Sequence, residues 1–335
     1  MNTFLNDKNL LSLINKDESY IIFHDGKAVR QNINENEIEI EIVDNYDTYE
    51  ICKHKRNNRE EEIANNSRFT TVVNIYKSGN LKIIRFNEEE KNTNLVFNIK
   101  KDVNINIVNI YYDVITNTNA LVEVICQKRS SVKYTSIQTV KKEFGEYLNF
   151  YVDDSANIDI NSLALNESKV NSCTNVFMHK PFSYLTVNNS IINNTKTEQV
   201  YDYNVYHLAK DTTSNLINYA ICKDSSVLNI NSNGIIKKDC ARSKINQKSK
   251  GIILDLTSAI SANPLLQIDE FDVEANHGAS IGAIDDEDLY YLMSRGLTKS
   301  QSEQLIVSGY MNPIIAKIND DSIKNYIEKL IEKKL

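Results

Sequence analysis

One histidine, His277, is the residue of this sequence whose type and surroundings best suit chemistry. It lies in Glu274-Ala-Asn-His-Gly-Ala-Ser-Ile-Gly, between an alternating strand pattern and an acidic helix start. Gly278 and Gly282 would let another backbone approach closely, and an imidazole can bind a metal or exchange a proton near neutral pH. The structural alternative is a histidine that is hydrogen-bonded in a turn or at a subunit contact. Spacing alone does not choose between the two.

The other metal-ligating and nucleophilic side chains favour structural interpretations. Cys52 and His54 are close in sequence, but their segment is highly charged and solvent exposure is the simpler explanation. We expect His179 and His207, in or beside alternating runs, to pack or to hydrogen-bond locally. A cysteine within a strand behaves as a small apolar residue, and this applies to Cys126, Cys173 and Cys222.

The acidic run at residues 285–288 could suggest a metal site or general acid catalysis. Acidic side chains are also favoured in the first turn of a helix, because they interact well with the helix dipole. Leu289, Leu292 and Met293 follow at helical spacing, so we interpret the run as a helix start. The sequence has no Walker A loop, no Ser-His-Asp pattern and no Gly-x-Gly-x-x-Gly, so ATP hydrolysis would need another protein.

Composition narrows the class of protein. The 335 residues are 41% hydrophobic, which allows a sizeable core, and the net charge of -7 argues against a nucleic-acid binder. The sequence contains neither a signal peptide pattern nor an apolar stretch of about 18 residues, so we predict a cytoplasmic chain without a membrane span. The five cysteines form no Cys-x-x-Cys pair and predict no disulfide framework.

Apolar and polar residues alternate from about residue 69 to residue 256. Examples are Val103-Asn-Ile-Asn-Ile and Val227-Leu-Asn-Ile-Asn, which are typical of strands with one buried face. Gly145 and Pro181 are the only glycine and proline between residues 80 and 233, so few tight hairpins are expected. Asn and Asp can take left-handed conformations at corners. The pattern therefore favours a mainly β fold, and a solenoid over a sandwich or barrel.

Three regions follow from this pattern: a small N-terminal cap over residues 1–68, a β-helix core over 69–284 and a C-terminal helical domain over 285–335. The cap should hold a short helix near Asn9 and strands near Tyr20 and Ile38.

The helical domain carries its own start and stop signals. Gly296 stands where a C-cap glycine belongs, and Thr298 with Gln301 should begin a second helix. That helix would turn Leu305 and Ile306 inward, and a third helix would start at Asp320 or Asp321.

Residues 264–310 resemble the C-terminal signature of the SufB/SufD family of iron-sulfur cluster assembly scaffolds. In that signature a Pro-Leu-Leu-x-Ile strand leads to Asp-Val-x-x-x-His-Gly-Ala, then to Ile-Gly-x-Ile-Asp-Asp-Glu and Tyr-Leu-x-Ser-Arg-Gly. The matching residues include Pro264, Ile268, Asp272, Val273, His277, Gly278, Ala279, Gly282, Asp285, Asp286, Glu287, Tyr291, Leu292, Ser294, Arg295, Gly296, Leu305, Ile306 and Gly309. The resemblance implies a right-handed parallel β-helix with a helical C-terminal domain.

The resemblance also implies a role. The chain would be a non-catalytic scaffold that pairs with a SufB-like chain, or with a second copy of itself, and binds the ABC-type ATPase SufC. His277 would lie at the interface of two β-helices and share a transient Fe-S cluster with the partner, while the isolated chain would bind no cofactor. The helical tail would dock the ATPase through Asp288, Tyr291, Leu292, Ser294, Arg295, Gly296, Leu305 and Ile306.

Two departures make the chain more similar to SufD than to SufB. SufB-like chains have carboxylates beside the histidine, whereas here Asn276 and Gly278 flank it. They also have an upstream cysteine, and Gln247 takes its position, with Cys240 seven residues earlier. The chain is short for either subunit, so a compact homologue acting as a homodimer stays open.

A β-solenoid carbohydrate-active enzyme is the alternative from another class. Such enzymes need clustered carboxylates or basic residues on successive rungs, whereas the middle of this sequence fills many outward positions with Asn and Ser.

Overall fold

The structure is a computed structural model that describes residues 8–15, 17–44, 46–48, 54–89, 91–112, 114–318 and 320–334. Cys52, considered above as a ligand beside His54, lies outside these residues. No helix within the described ranges is both long and apolar enough to cross a membrane.

Short elements precede the strands of the solenoid. They are α1 (Lys8–Ser12), β1 (Tyr20–His24), β2 (Lys27–Asn32), β3 (Ile38–Val43) and α2 (Asn58–Asn66). β1 and β2 form an antiparallel hairpin. A capping box starts α2, in which Asn57 accepts the Glu60 N–H and the Glu60 carboxylate accepts the Asn57 N–H.

The following strands alternate between two parallel sheets. Sheet A contains β5 (Gly79–Phe86), β7 (Asn104–Tyr111), β9 (Ser131–Gln138), β11 (Asn157–Ala164), β13 (Tyr184–Asn193), β15 (Thr213–Cys222), β17 (Lys244–Ile253) and β19 (Glu274–Ala283). Sheet B contains β4 (Thr70–Ile75), β6 (Asn92–Ile99), β8 (Thr118–Cys126), β10 (Phe144–Val152), β12 (Val170–Met178), β14 (Glu198–His207), β16 (Val227–Ile236) and β18 (Ala259–Ile268). Each strand pairs with the strand two further along the chain, which confirms the predicted β-solenoid.

The first strands extend both sheets of the solenoid. β1 runs parallel to β5 in sheet A, whereas β3 runs antiparallel to β4 in sheet B. The antiparallel strands β2 and β3 therefore end the two sheets on the N-terminal side.

Stacking of like residues on successive rungs explains the many Asn residues at outward positions. Inward side chains form one apolar core along the solenoid, and outward asparagines form amide ladders. Asn204 donates to Asn175 at 2.9 Å and Asn233 donates to Asn204 at 2.7 Å. Several corners have positive φ, and Asp occurs at them as predicted, but so do Arg129 and Phe182, and no Asn takes such a φ within the described residues.

Three C-terminal helices follow the solenoid: α3 (Asp286–Ser294), α4 (Lys299–Ile315) and α5 (Asp321–Lys334). Asp285 caps α3, and Thr298 with Gln301 forms the predicted capping box of α4. α4 and α5 pack against the outer face of sheet A, where Val307, Met311 and Ile314 are buried. The expectation that Leu305 faces inward was wrong, because it lies off this helical stripe and is 53% exposed.

Candidate functional site

His277 lies on β19, the last strand of sheet A. β19 pairs with β17, and the last strand of sheet B, β18, pairs with β16. No strand of the described chain continues either sheet beyond them. The last rung, made of β18 and β19, therefore leaves one open edge on each sheet.

The His277 side chain belongs to the inward face of this rung. It stands opposite Gln247 of β17, which points into the solenoid and is 2% exposed. Because side chains alternate along a strand, the inward row of the last rung can be read from this register: Ile260, Ala262, Pro264, Leu266 and Ile268 on β18, and Ala275, His277, Ala279, Ile281 and Ala283 on β19. His277 is exposed only because no further rung covers this apolar row.

Gln247, which stands opposite His277 on β17, hydrogen-bonds to the backbone through its side-chain amide. In the orientation that satisfies both groups, the Gln247 side chain donates to the Ser232 carbonyl at 3.1 Å and accepts the Gly234 N–H at 2.9 Å. Gln247 is thus engaged in holding β16 to β17 across the solenoid interior.

Cys240 does not offer a ready thiolate near this position. It lies in the turn after β16, is 3% exposed and packs with Ile236 and Ile245. Burial raises the pKa of its thiol, which disfavours the nucleophilic form.

A metal centre would need more ligands than His277 brings. No group of three or more His, Cys, Asp or Glu side chains in the described ranges could hold a metal ion. An iron-sulfur cluster is cargo for a scaffold, and at this open edge its remaining ligands would have to come from another chain.

The predicted ATPase-docking residues gather on α3 and at the start of α4. α3 has no buried residue, Tyr291 is 56% exposed, and Leu292 and Ile306 are partly buried. Ser294 Oγ donates to the Tyr291 carbonyl at 2.7 Å, and the Arg295 guanidinium lies 5.2 Å from the centre of the Tyr291 ring.

Gly296, with φ of +96°, ends this helix in the left-handed region. The Ser-Arg-Gly motif therefore ends α3 and places Arg295 over the exposed Tyr291 ring, while Asp288 stays exposed on the first turn.

Comparison with known proteins identifies the family. The family model described as SUF system FeS cluster assembly, SufBD core domain, matches residues 83–310. The chain belongs to the SufB/SufD family. Its signature histidine, His277, lies within the matched range, and the family takes part in iron-sulfur cluster assembly.

Relatives named SufD support the SufD-like assignment. The chain is 26% identical to the iron-sulfur cluster assembly protein SufD of Bacillus subtilis over 220 residues, which are 65% of this chain and 50% of that protein. It is 23% identical to SufD of Plasmodium berghei over 249 residues, 72% of this chain and 18% of that protein. It is 28% identical to SufD of Escherichia coli over 87 residues, 26% of this chain and 21% of that protein. The chain thus spans half or less of the length of these relatives.

Three further histidines of this SufB/SufD chain are buried or partly buried. His207 is fully buried, contacts Thr212 Oγ1 at 2.6 Å and Ser214 Oγ at 2.8 Å, and burial lowers its pKa to about 3. Burial also lowers the pKa of His179 to about 4. His54 packs against Phe177 in a tilted arrangement, with ring centres 3.7 Å apart.

Two exposed apolar residues near the open rung were not recognised from the sequence. Leu256, in the turn before β18, and Phe271, in the turn after it, are both fully exposed. Their exposure could have been predicted from the sequence, because each is a large apolar residue within a polar turn, Asp255-Leu-Thr and Glu270-Phe-Asp.

Proposed function

We propose that this chain is a non-catalytic scaffold subunit of an iron-sulfur cluster assembly complex, and that its open last rung pairs with a SufB-like scaffold chain. The observation that carries the proposal is the difference between the two ends of the solenoid. One end is closed by charged strands, and the other exposes an apolar row around His277.

The N-terminal end has the features of a protected sheet edge. β2 carries Lys27 and Arg30, and β3 carries Glu39 and Glu41. Charged residues on edge strands discourage pairing with other chains.

The last rung lacks this protection. Across the ten residues of β18 and the ten of β19, Glu274 is the only Asp, Glu, Lys or Arg. A long, nearly uncharged edge is a template for pairing with another chain, and the uncovered inward row supplies apolar surface for such a contact.

His277 would act at this interface as one ligand of a shared, transient cluster. A neutral imidazole is an acceptable iron ligand, and thiolates on the partner would be the preferred ones. Since His277 is a single ligand, the isolated chain should carry little or no iron.

The helical tail would bind a SufC-like ABC ATPase through exposed residues of α3 and α4. α4 and α5 are fixed to sheet A, in part by Lys317 with Asp159 at 3.0 Å and by Lys82 with Asp320 at 2.5 Å. α3 has no fully buried residue and follows β19 directly. Closure of the ATPase dimer would therefore move α3 and reach the rung of His277, provided that the dimer binds the two scaffold states with different affinities.

The proposal is tested by co-expressing the chain with the SufB-like scaffold and the SufC-like ATPase of the same genome. Native mass spectrometry should find a complex with one copy of each scaffold and two ATPase copies. A chain that stays monomeric and binds neither protein would contradict the proposal, and a complex containing only copies of this chain would replace the heterodimer by a homodimer.

A further inference from the structure

A column of aromatic rings lies on the outer face of sheet B. Tyr151 of β10, Phe177 of β12 and Tyr206 of β14 occupy paired positions on successive rungs. Their rings are nearly parallel, with neighbouring centres 5.5 Å and 4.9 Å apart. His179, two residues after Phe177, lies beside this column with its ring centre 6.0 Å from that of Phe177. The solenoid itself therefore places one imidazole at the column.

His54 brings a second imidazole to the same place from the N-terminal segment. Its ring centre lies 6.0 Å from that of Tyr151 and 6.2 Å from that of His179. Two imidazoles that share one ion through metal–nitrogen bonds of about 2.1 Å have ring centres between about 5 Å, at a tetrahedral angle, and about 6.5 Å apart. The observed separation lies within this range. A tetrahedral ion would draw His54 roughly 1 Å closer to His179.

His179 has a nitrogen that the fold does not use. Its Nε2 is buried and has no hydrogen-bond partner within the described part of the chain, whereas buried polar atoms are nearly always bonded to protein, water or an ion. Among the buried side-chain atoms without a partner in these residues, it is the only imidazole nitrogen.

Both imidazoles are in the protonation state that metals require. Burial lowers the pKa of His179 to about 4, with further contributions from His54 and Lys180. Burial also lowers the pKa of His54, although the Glu123 carboxylate opposes this shift. Both rings are therefore neutral near pH 7, and a neutral ring is the form that binds a metal ion.

A cation can reach the pair from solvent. A cavity of about 410 Å³ opens beside His54, and Asp47, Arg56 and Glu61 also line it. The Arg56 guanidinium is paired with the buried carboxylate of Glu123, which offsets its repulsion of a cation. The cavity wall therefore presents no unpaired guanidinium to an entering ion.

We propose that His54 and His179 bind a divalent transition-metal ion of the zinc class on the outer face of sheet B. Neutral imidazole is a suitable ligand for zinc, copper, nickel and iron. No third His, Cys, Asp or Glu side chain of the described residues completes the ligand set, so water would hold the remaining positions and the ion should exchange readily. His277 lies on the last rung of sheet A, so this site is separate from the proposed cluster site and needs no partner scaffold.

An ion at this site would join two distant parts of the chain. His54 precedes α2, and His179 lies in the turn after β12. Because the two ligands come from different elements, binding would fasten the segment before α2 to the solenoid.

Three histidine-to-phenylalanine variants test the site. His54→Phe and His179→Phe keep an aromatic ring in place and remove its nitrogens, and His24→Phe makes the same change on β1. The probe is Zn²⁺ alone, titrated into the full chain in a chelator-free buffer by isothermal titration calorimetry. We expect wild type and His24→Phe to bind with equal affinity, and each site variant to bind about tenfold or more weakly. Wild-type affinity in both site variants, a loss confined to His24→Phe, or no binding to wild type would overturn the inference.

Two measurements on the wild-type chain give an answer that needs no folded variant. Diethyl pyrocarbonate modifies accessible histidine nitrogens, and peptide mass spectrometry locates the modified rings. Zn²⁺ should protect His54 and leave His24 as reactive as before, and X-ray absorption at the zinc edge should show two imidazole ligands. Equal modification of His54 with and without Zn²⁺, or a zinc ion with one imidazole or none, would overturn the inference.

Discussion

Gln247 and His277 occupy the same column of the solenoid one rung apart, yet their roles differ because only one of them is covered. Gln247 is buried and bonded to two backbone groups of β16, whereas His277 faces the same interior from the open rung. The residue types suggested chemistry at His277, but its inward orientation depends on strand register, which the sequence pattern does not specify to one residue.

Gln247→Ala should destabilise the chain. The substitution removes the two hydrogen bonds that the Gln247 amide makes to the β16 backbone, and each contributes roughly 0.5–1.5 kcal/mol to the free energy of unfolding. Urea unfolding followed by circular dichroism measures the loss. Gln267→Ala, on the exposed outer face of β18, is the control and should stay within about 0.5 kcal/mol of wild type. Equal stabilities for the two variants would refute the structural role of Gln247.

At the scale of elements, the C-terminal helices divide into a fixed part and an exposed part. The Lys82 ammonium is buried at the outer face of sheet A and bonds the Leu13 carbonyl at 2.6 Å, Glu18 at 2.8 Å and Asp320 at 2.5 Å. It thereby joins the N-terminal segment, the solenoid and the start of α5. The capping residues allowed the helices to be predicted from the sequence. The contact of Lys82 with Asp320 could not be predicted, because the two residues are far apart in the sequence and no local pattern indicates their pairing.

The Lys82–Asp320 contact should make stability depend on pH. Burial alone would raise the pKa of Asp320, but bonds from Lys82, Ser322 and the Ile323 N–H hold it below its usual range. A lowered folded-state pKa stabilises the protein above the unfolded-state pKa, and this contribution is lost as the pH falls through the folded-state pKa.

Asp320→Asn should therefore lower the unfolding midpoint in urea at pH 7 and have a smaller effect near pH 3. Asp321→Asn is the control, because the Asp321 side chain is 94% exposed and its contact with Lys324 is 3.7 Å long. A constant difference between Asp320→Asn and wild type over this pH range would exclude the ionised contact as the cause.

The exposed part of the tail should carry the ATPase. Tyr291→Ala combined with Leu305→Ala removes two apolar side chains that the scaffold itself does not bury, so binding of the SufC-like ATPase should weaken roughly tenfold while the unfolding midpoint stays unchanged. Isothermal titration calorimetry measures the affinity. Phe182→Ala, at an exposed corner of the solenoid, should bind like wild type, and the docking proposal fails if the double variant does so as well.

At the scale of the whole molecule, the two ends of the solenoid differ. Charged antiparallel strands lie at the N-terminal end, whereas the last rung, beside the helical tail, is uncovered. The alternation of apolar and polar residues and the scarcity of Gly and Pro predicted the solenoid. Asparagine side chains on successive rungs form ladders that hold the rungs together. The pattern could not show that β1 joins sheet A through β5, since parallel pairing between distant segments has no local signature.

The proposed role of the open rung is to share a cluster through His277. Its most direct test is the iron and sulfide content of the complex with the SufB-like scaffold and the ATPase, purified without oxygen, with native mass spectrometry to confirm intact assembly. His277→Ala should lose most of the iron and sulfide, whereas Asn276→Ala, on the outward face of the same strand, should retain both. An intact His277→Ala complex with wild-type iron and sulfide would show that His277 is not a ligand of the cluster.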